Sequence, residues 1–429
     1  MTTLRENRNV STMLKNKALL AGCIISLALL LVSCPAADKK TAVLCTDIPE
    51  FTSYVETFNA SQDTYRIMIS YADTPRDTIL TNGKSQYDLV IDTHLNSIHY
   101  LPRLRSLEPL FQEEQLVRNG FYQTLLEQGL YNDQQVLLPI SFNLPALIFR
   151  SNLNSEDQNS FMIDLDELAE RNRSFSVQTD KGFTRLGLSL RWNPEMLFLV
   201  TLLKDTDFHE SETGTLLWNS GKLKESVDYI RTWTQDYNGG VSAEREFAQK
   251  FMVEPPYNLI AKERILCYYY DLVQFYSIPA QKREQLRIIW PSVDERIPVL
   301  NDLLFAGIPQ GAQGEKAARA FLLWFFNVKT QEELLNSTQY KRLRTFGISG
   351  GFSSIQDVNE QVLPRYYPDL VGLIPGPEYI SFPSQLPPEW PLIKSEVLLP
   401  WLTDQANSES ISELMRERLE TWMRQRSPN

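Results

Sequence analysis

Thr41-Ala42-Val43-Leu44-Cys45 reads as a buried strand, and the residues that follow it decide the fold. Phe51, Tyr54, Val55 and Phe58 recur at i, i+3, i+4 and i+7, one face of a helix that ends near Asn59. Tyr65, Ile67, Ile69 and Tyr71 alternate with mostly polar neighbours, the period of a strand. Thr74-Pro75 sets a cap before the proline favoured at a first helical position, and Gly83 stands where that helix would stop. Leu89-Val90-Ile91 is the next buried strand. Strand, helix, strand, helix, strand is the pattern of a parallel sheet covered on both faces, which places the chain in the α/β class.

Further along, Val136 to Arg150 reads as two strand-like runs broken by Ser141-Phe142-Asn143-Leu144-Pro145, where the chain leaves one sheet and enters another. A second region then alternates in the same way. Arg185 to Leu190 is strand-like, Asn193-Pro194-Glu195 opens a helix through Leu203, and a helix from Lys222 to Tyr237 stops at Gly239-Gly240. Arg264 to Tyr270 and Arg287 to Trp290 are strands again, Leu303 to Ile308 returns to the first sheet, and Glu315 to Phe326 is a strongly apolar helix. A proline-rich stretch from Pro375 to Pro391 precedes a charged helix from Ser408 to Arg424.

Upstream, Arg5, Arg8, Lys15 and Lys17 precede an apolar run from Ala18 to Val32 that ends at Ser33-Cys34. A basic start, an apolar middle and a closing small residue make a secretory signal, and the run falls short of the roughly 20 apolar residues a bilayer span needs. With Cys34 behind it, the segment resembles the bacterial lipoprotein signal. That resemblance implies cleavage before Cys34, lipidation of its sulfur, and a body held outside the cytoplasm at the periplasmic face or cell surface. An uncleaved anchor is the other reading. Two acyl chains hold a protein stably where one does not. Residues 1–33 are then signal and 34–40 a tether.

Losing residues 1–33 removes four basic side chains and Glu6, leaving 38 Lys plus Arg against 52 Asp plus Glu, a formal charge of −14. Such a surface is unsuited to nucleic acid, whose phosphates are neutralised by Lys and Arg, and to broad adhesion on anionic lipid. Of the four cysteines, Cys23 would leave with the signal and Cys34 would carry the lipid; Cys45 and Cys267 sit in separate apolar runs and read as two buried thiols, with a disulfide between them as the other reading.

Catalytic and metal chemistry find little support. His94, His99 and His209 show no His-x-x-x-His spacing and the cysteines no Cys-x-x-Cys, so no metal is expected. Gly347-Ile348-Ser349-Gly350-Gly351 matches the Gly-x-Ser-x-Gly turn of hydrolases, where the base histidine follows the serine; none follows His209, so this is a glycine-rich loop. Gly83-Lys84-Ser85 has Thr78 in place of the first glycine of a phosphate loop. Gly311 to Gly314 reads as a loop and helix start, with an anion held on its amides as the alternative. No catalytic residue and no cofactor is expected.

What remains lies just past the strands, where open α/β sheets bind ligands. These positions are Thr46-Asp47, Asp92-Thr93-His94, Ser141-Phe142-Asn143, Arg191-Trp192-Asn193 and Tyr268-Tyr269-Tyr270-Asp271. Short carboxylates and carboxamides hydrogen-bond hydroxyls, and Trp and Tyr rings cover the CH faces of a sugar, so the set suits an uncharged polyol or sugar. Core packing for Trp192 and Tyr269, and helix capping for Asp47 and Asn193, are the plain alternatives.

Several segments then add up. Ala42-Val43-Leu44-Cys45 with the helix Phe51 to Asn59, Tyr87-Asp88-Leu89-Val90-Ile91-Asp92, Leu138-Pro139-Ile140-Ser141-Phe142-Asn143 and Glu315-Lys316-Ala317-Ala318 through Trp324 stand in a characteristic order. Together they resemble the family 1 extracellular solute-binding proteins, the sugar-type binding lipoproteins of ABC importers. The resemblance implies a two-lobed, periplasmic-binding-protein-like fold of type II. Its discontinuous lobes would be 41–143 plus 300–338 and 146–297 plus 340–429, joined by a hinge of crossing strands. It also implies binding without chemistry of a small solute, a sugar or polyol, between the lobes, and docking of the closed form on an ABC permease. The family's ligand-binding positions match Asp47, Thr93, Asn143, Trp192, Asn193, Tyr270 and Asp271. It supplies no role for the proline-rich part. Two other readings stay open: a membrane-anchored glycosidase-like enzyme, and a bilobal surface lipoprotein without a transport role.

Overall fold

β1 (Lys40–Thr46), α1 (Phe51–Ser61), β2 (Tyr65–Tyr71) and β3 (Leu89–Thr93) follow one another as the alternation requires. This is a computed structural model, and it describes residues 40–80, 83–112, 116–151, 160–341, 344–408 and 413–426. The signal, Cys34 and the tether up to residue 39 lie outside the described residues. α1 buries Phe51, Tyr54, Val55 and Phe58, the four positions that carry its period. β1 pairs in parallel with β2 and with β3. The helix expected after Thr74-Pro75 is a 3-10 turn, Pro75–Leu80.

β4 (Leu137–Phe142) runs out of this sheet, and after residues 143–145 the chain enters β5 (Ala146–Arg150). β6 (Met162–Ile163), α2 (Leu165–Phe175), α3 (Pro194–Leu203), α4 (Ser220–Thr232), α5 (Val241–Phe251), β7 (Cys267–Tyr270), α6 (Leu272–Ser277) and β8 (Leu286–Pro291) complete the second region. β9 (Ile297–Pro298) leads back to β10 (Leu304–Gly307), which is followed by α7 (Glu315–Phe325), β11 (Phe352–Ser353), β12 (Ile380–Ser381), α8 (Leu399–Asn407) and α9 (Met415–Arg426). The first sheet has the order β11-β4-β10-β3-β1-β2 and the second β7-β5-β8-β6.

Direction follows from connectivity. β4 ends at the crossing, so β10, which returns from it, runs antiparallel to both β3 and β4. β5 starts at the crossing, and β7 and β8, antiparallel to it, run back towards it. The carboxyl ends of β1, β3, β7 and β8 therefore all point at the region between the sheets.

The second sheet is buried on both faces. Ala146 and Ile148 of β5 face the core shared with the first sheet, while Leu147 and Phe149 face a separate core under α2, α3, α4 and α8. A fully buried side chain such as Phe149 contributes about 1.5–3 kcal/mol.

Three sequence expectations are corrected. The strand over Arg185 to Leu190 stops at Arg185, since only two further backbone bonds, Leu186 N to Arg264 O and Leu266 N to Gly187 O, hold the next residues to the β7 side. The C-terminal charged helix starts at Met415, not Ser408. The stretch 340–429 divides: β11 pairs with β4 in the first sheet, while α8 and α9 bury Trp401, Leu402, Met415 and Leu419 in the second core. Cys45 on β1 and Cys267 on β7 are free, buried and on different sheets.

Candidate functional site

On the first sheet, β3 ends in Asp92 and Thr93, and His94 follows it. Arg76, on the turn after β2, reaches back to Asp92: its backbone N–H donates to Oδ2 at 2.8 Å, and its guanidinium stands 3.2 Å from the same oxygen. Burial pushes the Asp92 carboxyl up to about 6, against the pull of Arg76, and Asp47 adds to the push. Asp47 has exposed surface yet lies against enough protein that desolvation raises it too, with Arg76 opposing. His94 adopts a left-handed backbone, φ 57°, and is 3% exposed. Its Nε2 finds no hydrogen-bond partner among the described residues. Burial lowers the imidazole to about 4, so it is neutral at pH 7, and the fields of Asp302, Arg76 and Lys394 all reach it.

On the second sheet, Asn193 Oδ1 accepts from Glu195 N at 3.0 Å and caps α3, with Pro194 at the first helical position. Asp271 caps α6 in the same way, accepting from Gln274 N at 2.7 Å, and burial raises its carboxyl with Glu195 adding to the effect. Glu195 pairs with Lys394 at 2.8 Å. Trp192 is half-buried and stacks on Phe247, ring centroids 5.7 Å apart, with its Nε1–H unpartnered among the described residues. Behind it, Arg191 pairs with the buried Glu244 at 2.8 Å. Burial holds the Tyr269 phenol well above its usual range, reinforced by Glu195, Asp271 and Asp302.

Asp302, just before β10, thus acts on His94 of the first sheet and on Tyr269 of the second, and Lys394 links Glu195 to His94.

No protein-family model and no curated protein matches the chain. Solved structures do match it. The sugar-binding protein MalE from Xanthomonas citri superposes with a TM-score of 0.62 at 10% identity, over 90% of this chain and 100% of that one. An ABC substrate-binding protein from Listeria monocytogenes in complex with cycloalternan gives 0.61 at 10% identity, over 90% and 99%. An extracellular solute-binding protein from Staphylococcus aureus in complex with maltose gives 0.58 at 11%, over 90% and 97%. The chain has the two-lobed, periplasmic-binding-protein-like fold.

Within that fold the candidates separate. Asp47 acts on Asp92 past the first sheet's strands and Asp271 on Tyr269 past the second's, while Trp192 stands before α3 with its Nε1–H buried and unpartnered among the described residues. Thr93 is held to Asp92 Oδ1 by its backbone N–H at 2.7 Å and its hydroxyl at 3.4 Å. Asn143 lends the crossing its backbone oxygen, which accepts from Leu300 N at 2.8 Å. Tyr270 points to the opposite face of β7 from Tyr269, is 8% exposed, and packs edge-on to Tyr268 at 5.4 Å. Arg76, Glu195, Asp302 and Lys394 were not singled out in the sequence. Arg76 was findable, because the rule that selects residues after strands applies to β2 as well; Lys394 sits 123 positions beyond Asp271, just past the proline-rich part, and carries no local signal. The amides of Gln313 and Gly314 do hold an anion, the chain's own Asp88, at 2.7 Å each.

Among the described residues no group of His, Cys, Asp and Glu is placed to hold a metal, and no helix is long and apolar enough to cross a membrane. A groove of about 730 Å³ between the end of α4, the start of α5 and the end of α8 lies on the flank of the second lobe and takes none of the strand-end residues.

Proposed function

We infer that the protein binds a saccharide between its lobes and releases it unchanged to an ABC permease, held at the membrane through lipid on Cys34. The observation that supports this reading is strand direction: the carboxyl ends of β1, β3, β7 and β8 all face the region between the two sheets. Carboxylates at Asp47 and Asp271 would accept hydrogen bonds from hydroxyls, and the Trp192 ring would take a sugar face. The sugar complexes of fold neighbours at 10–11% identity support the class of ligand. Crossing strands at 143–146 and 297–304 would act as the hinge, and a ligand touching both lobes favours their closed arrangement.

A thermal-shift panel of neutral oligosaccharides, polyols and oligopeptides tests this. A true ligand at about 100 times its dissociation constant stabilises the fold by about 2.7 kcal/mol. Stabilisation by none of the panel would point to a surface lipoprotein without transport role. Cleavage of an oligosaccharide in the same tubes would make the protein a glycosidase-like enzyme.

A further inference from the structure

The second lobe reaches the first through a buried carboxylate that lies outside the strand-end network. After α3 the chain forms a short hairpin, His209–Glu210 against Leu216–Leu217, rooted in the second core by Phe208 and Leu216. Glu210 leaves this hairpin and enters the turn that follows β3 in the first lobe. Its Oε1 accepts from Ser97 Oγ at 2.8 Å, its Oε2 accepts from Ile98 N at 3.0 Å, and His99 Nε2 lies 3.9 Å away. The Glu210 side chain is 1% exposed, although its residue sits on a surface hairpin. The turn of the hairpin is fitted to the same place: Gly214, at φ +81°, lies so close to the His99 ring that a Cβ would come 2.2 Å from Nε2. The Glu210 backbone N–H donates to Gln385 O at 2.7 Å, which ties the hairpin to the segment that follows β12. A surface carboxylate can be hydrated at no cost, so burying it against two donors of another lobe is worthwhile only if the lobes stay in that relation.

We propose that Glu210 is a positioning residue: it clasps the post-β3 turn, holds the lobes together before any solute arrives, and so raises the affinity of the site without touching the ligand. The effect on affinity rests on the saccharide-binding reading; the effect on the ligand-free lobes does not. A protein that spends more of its time in the binding arrangement has a lower apparent dissociation constant in proportion.

Double electron–electron resonance on the ligand-free full chain tests this, with spin labels on ketone-bearing residues introduced at Thr124 in the first lobe and Arg245 in the second. E210A should broaden the distance distribution and move it to longer distances, and S97A should do so to a smaller degree. E210Q keeps a carbonyl acceptor for Ser97 and should fall between wild type and E210A. L217A, an exposed position of the same hairpin that pairs with His209 rather than Glu210, should leave the distribution as it is. A distribution unchanged in E210A, or broadened equally by L217A, overturns the proposal. Maltotriose titration is the second arm. About tenfold weaker binding by E210A is expected, the factor to which a loss of 1.4 kcal/mol corresponds. Tighter binding by E210A would mean that the contact holds the lobes apart and would also overturn it. Altered distances with no saccharide bound by wild type would leave the clasp standing and remove the proposed function instead.

Discussion

Replacing Glu244 with alanine should strip the support from beneath Trp192. Glu244 is 2% exposed, and its two oxygens accept from Arg191 Nη1 at 2.8 Å and from Asn238 Nδ2 at 2.7 Å. Asn238 also donates to Leu188 O at 2.9 Å and accepts from Asn172 Nδ2 at 3.0 Å, while Asn172 Oδ1 accepts from Leu188 N at 2.6 Å. The segment that presents Arg191, Trp192 and Asn193 is therefore pinned from below by one connected set. Removing one partner of a buried charge pair costs about 3–5 kcal/mol. Arg191 retains Asn407 and its side chain is 14% exposed, so the lower end applies, about 3 kcal/mol. Urea unfolding followed by tryptophan fluorescence measures the loss. The double variant R191L/E244L, with both charges gone, should cost far less than the two single changes together. A loss below about 1 kcal/mol in E244A, or a double variant as costly as the sum, would refute the reasoning, since a charge pair that matters must show coupling.

His94 should make the fold acid-sensitive. Its folded value of about 4 lies below the unfolded value of about 6.5, so its contribution is complete above 6.5 and erodes as pH falls towards 4. Asp92 works in the opposite sense: raised to about 6, it contributes stability below about 4 that is lost as pH rises through 6. H94Q should therefore gain on wild type by up to ~3 kcal/mol between pH 6.5 and 4 in denaturant titrations, and parallel curves would count against it. W192A should remove most of the thermal shift given by any oligosaccharide found in the panel while leaving the ligand-free melting temperature within a few degrees; an undiminished shift would take Trp192 out of the site. Cys45, pushed up to about 11 by burial, and Cys267, raised further by the same cause, should stay unmodified by iodoacetamide in the native protein and react in urea, as read by mass spectrometry. Labelling of either in the native state would contradict their burial.

Much of the fold was legible because it rests on local period and punctuation. The i, i+3, i+4, i+7 spacing of α1, the alternation of β2 and Asn193-Pro194 opening α3 each act within one turn or one pleat. The failures occurred where a tertiary partner decides. Arg185 to Leu190 has a strand's composition, but past Arg185 it has only the edge near Arg264 and Leu266 to bond with, and it ends in a 3-10 turn at Leu190–Trp192.

The candidate site divides along the same line. Residues past strand ends were nameable, since a strand's direction and end can be read from the chain. Which face a side chain takes is a question of register, and the one-residue alternation along β7 turns Tyr269 towards Asp302 and Tyr270 away from it.

The α/β class, a crossing within 141–145, the returning strand β10 and the set of strand ends from which a site could be built follow from the chain alone, because each depends on neighbours a few positions apart. That Arg76, Asp302 and Lys394 act on one imidazole and that Glu210 enters the turn at Ser97 and Ile98 is set by the folded arrangement. Those partners stand 18 to 300 positions apart from the residues they meet, and electrostatic and hydrogen-bonded contacts at such separations leave no periodic trace in the chain.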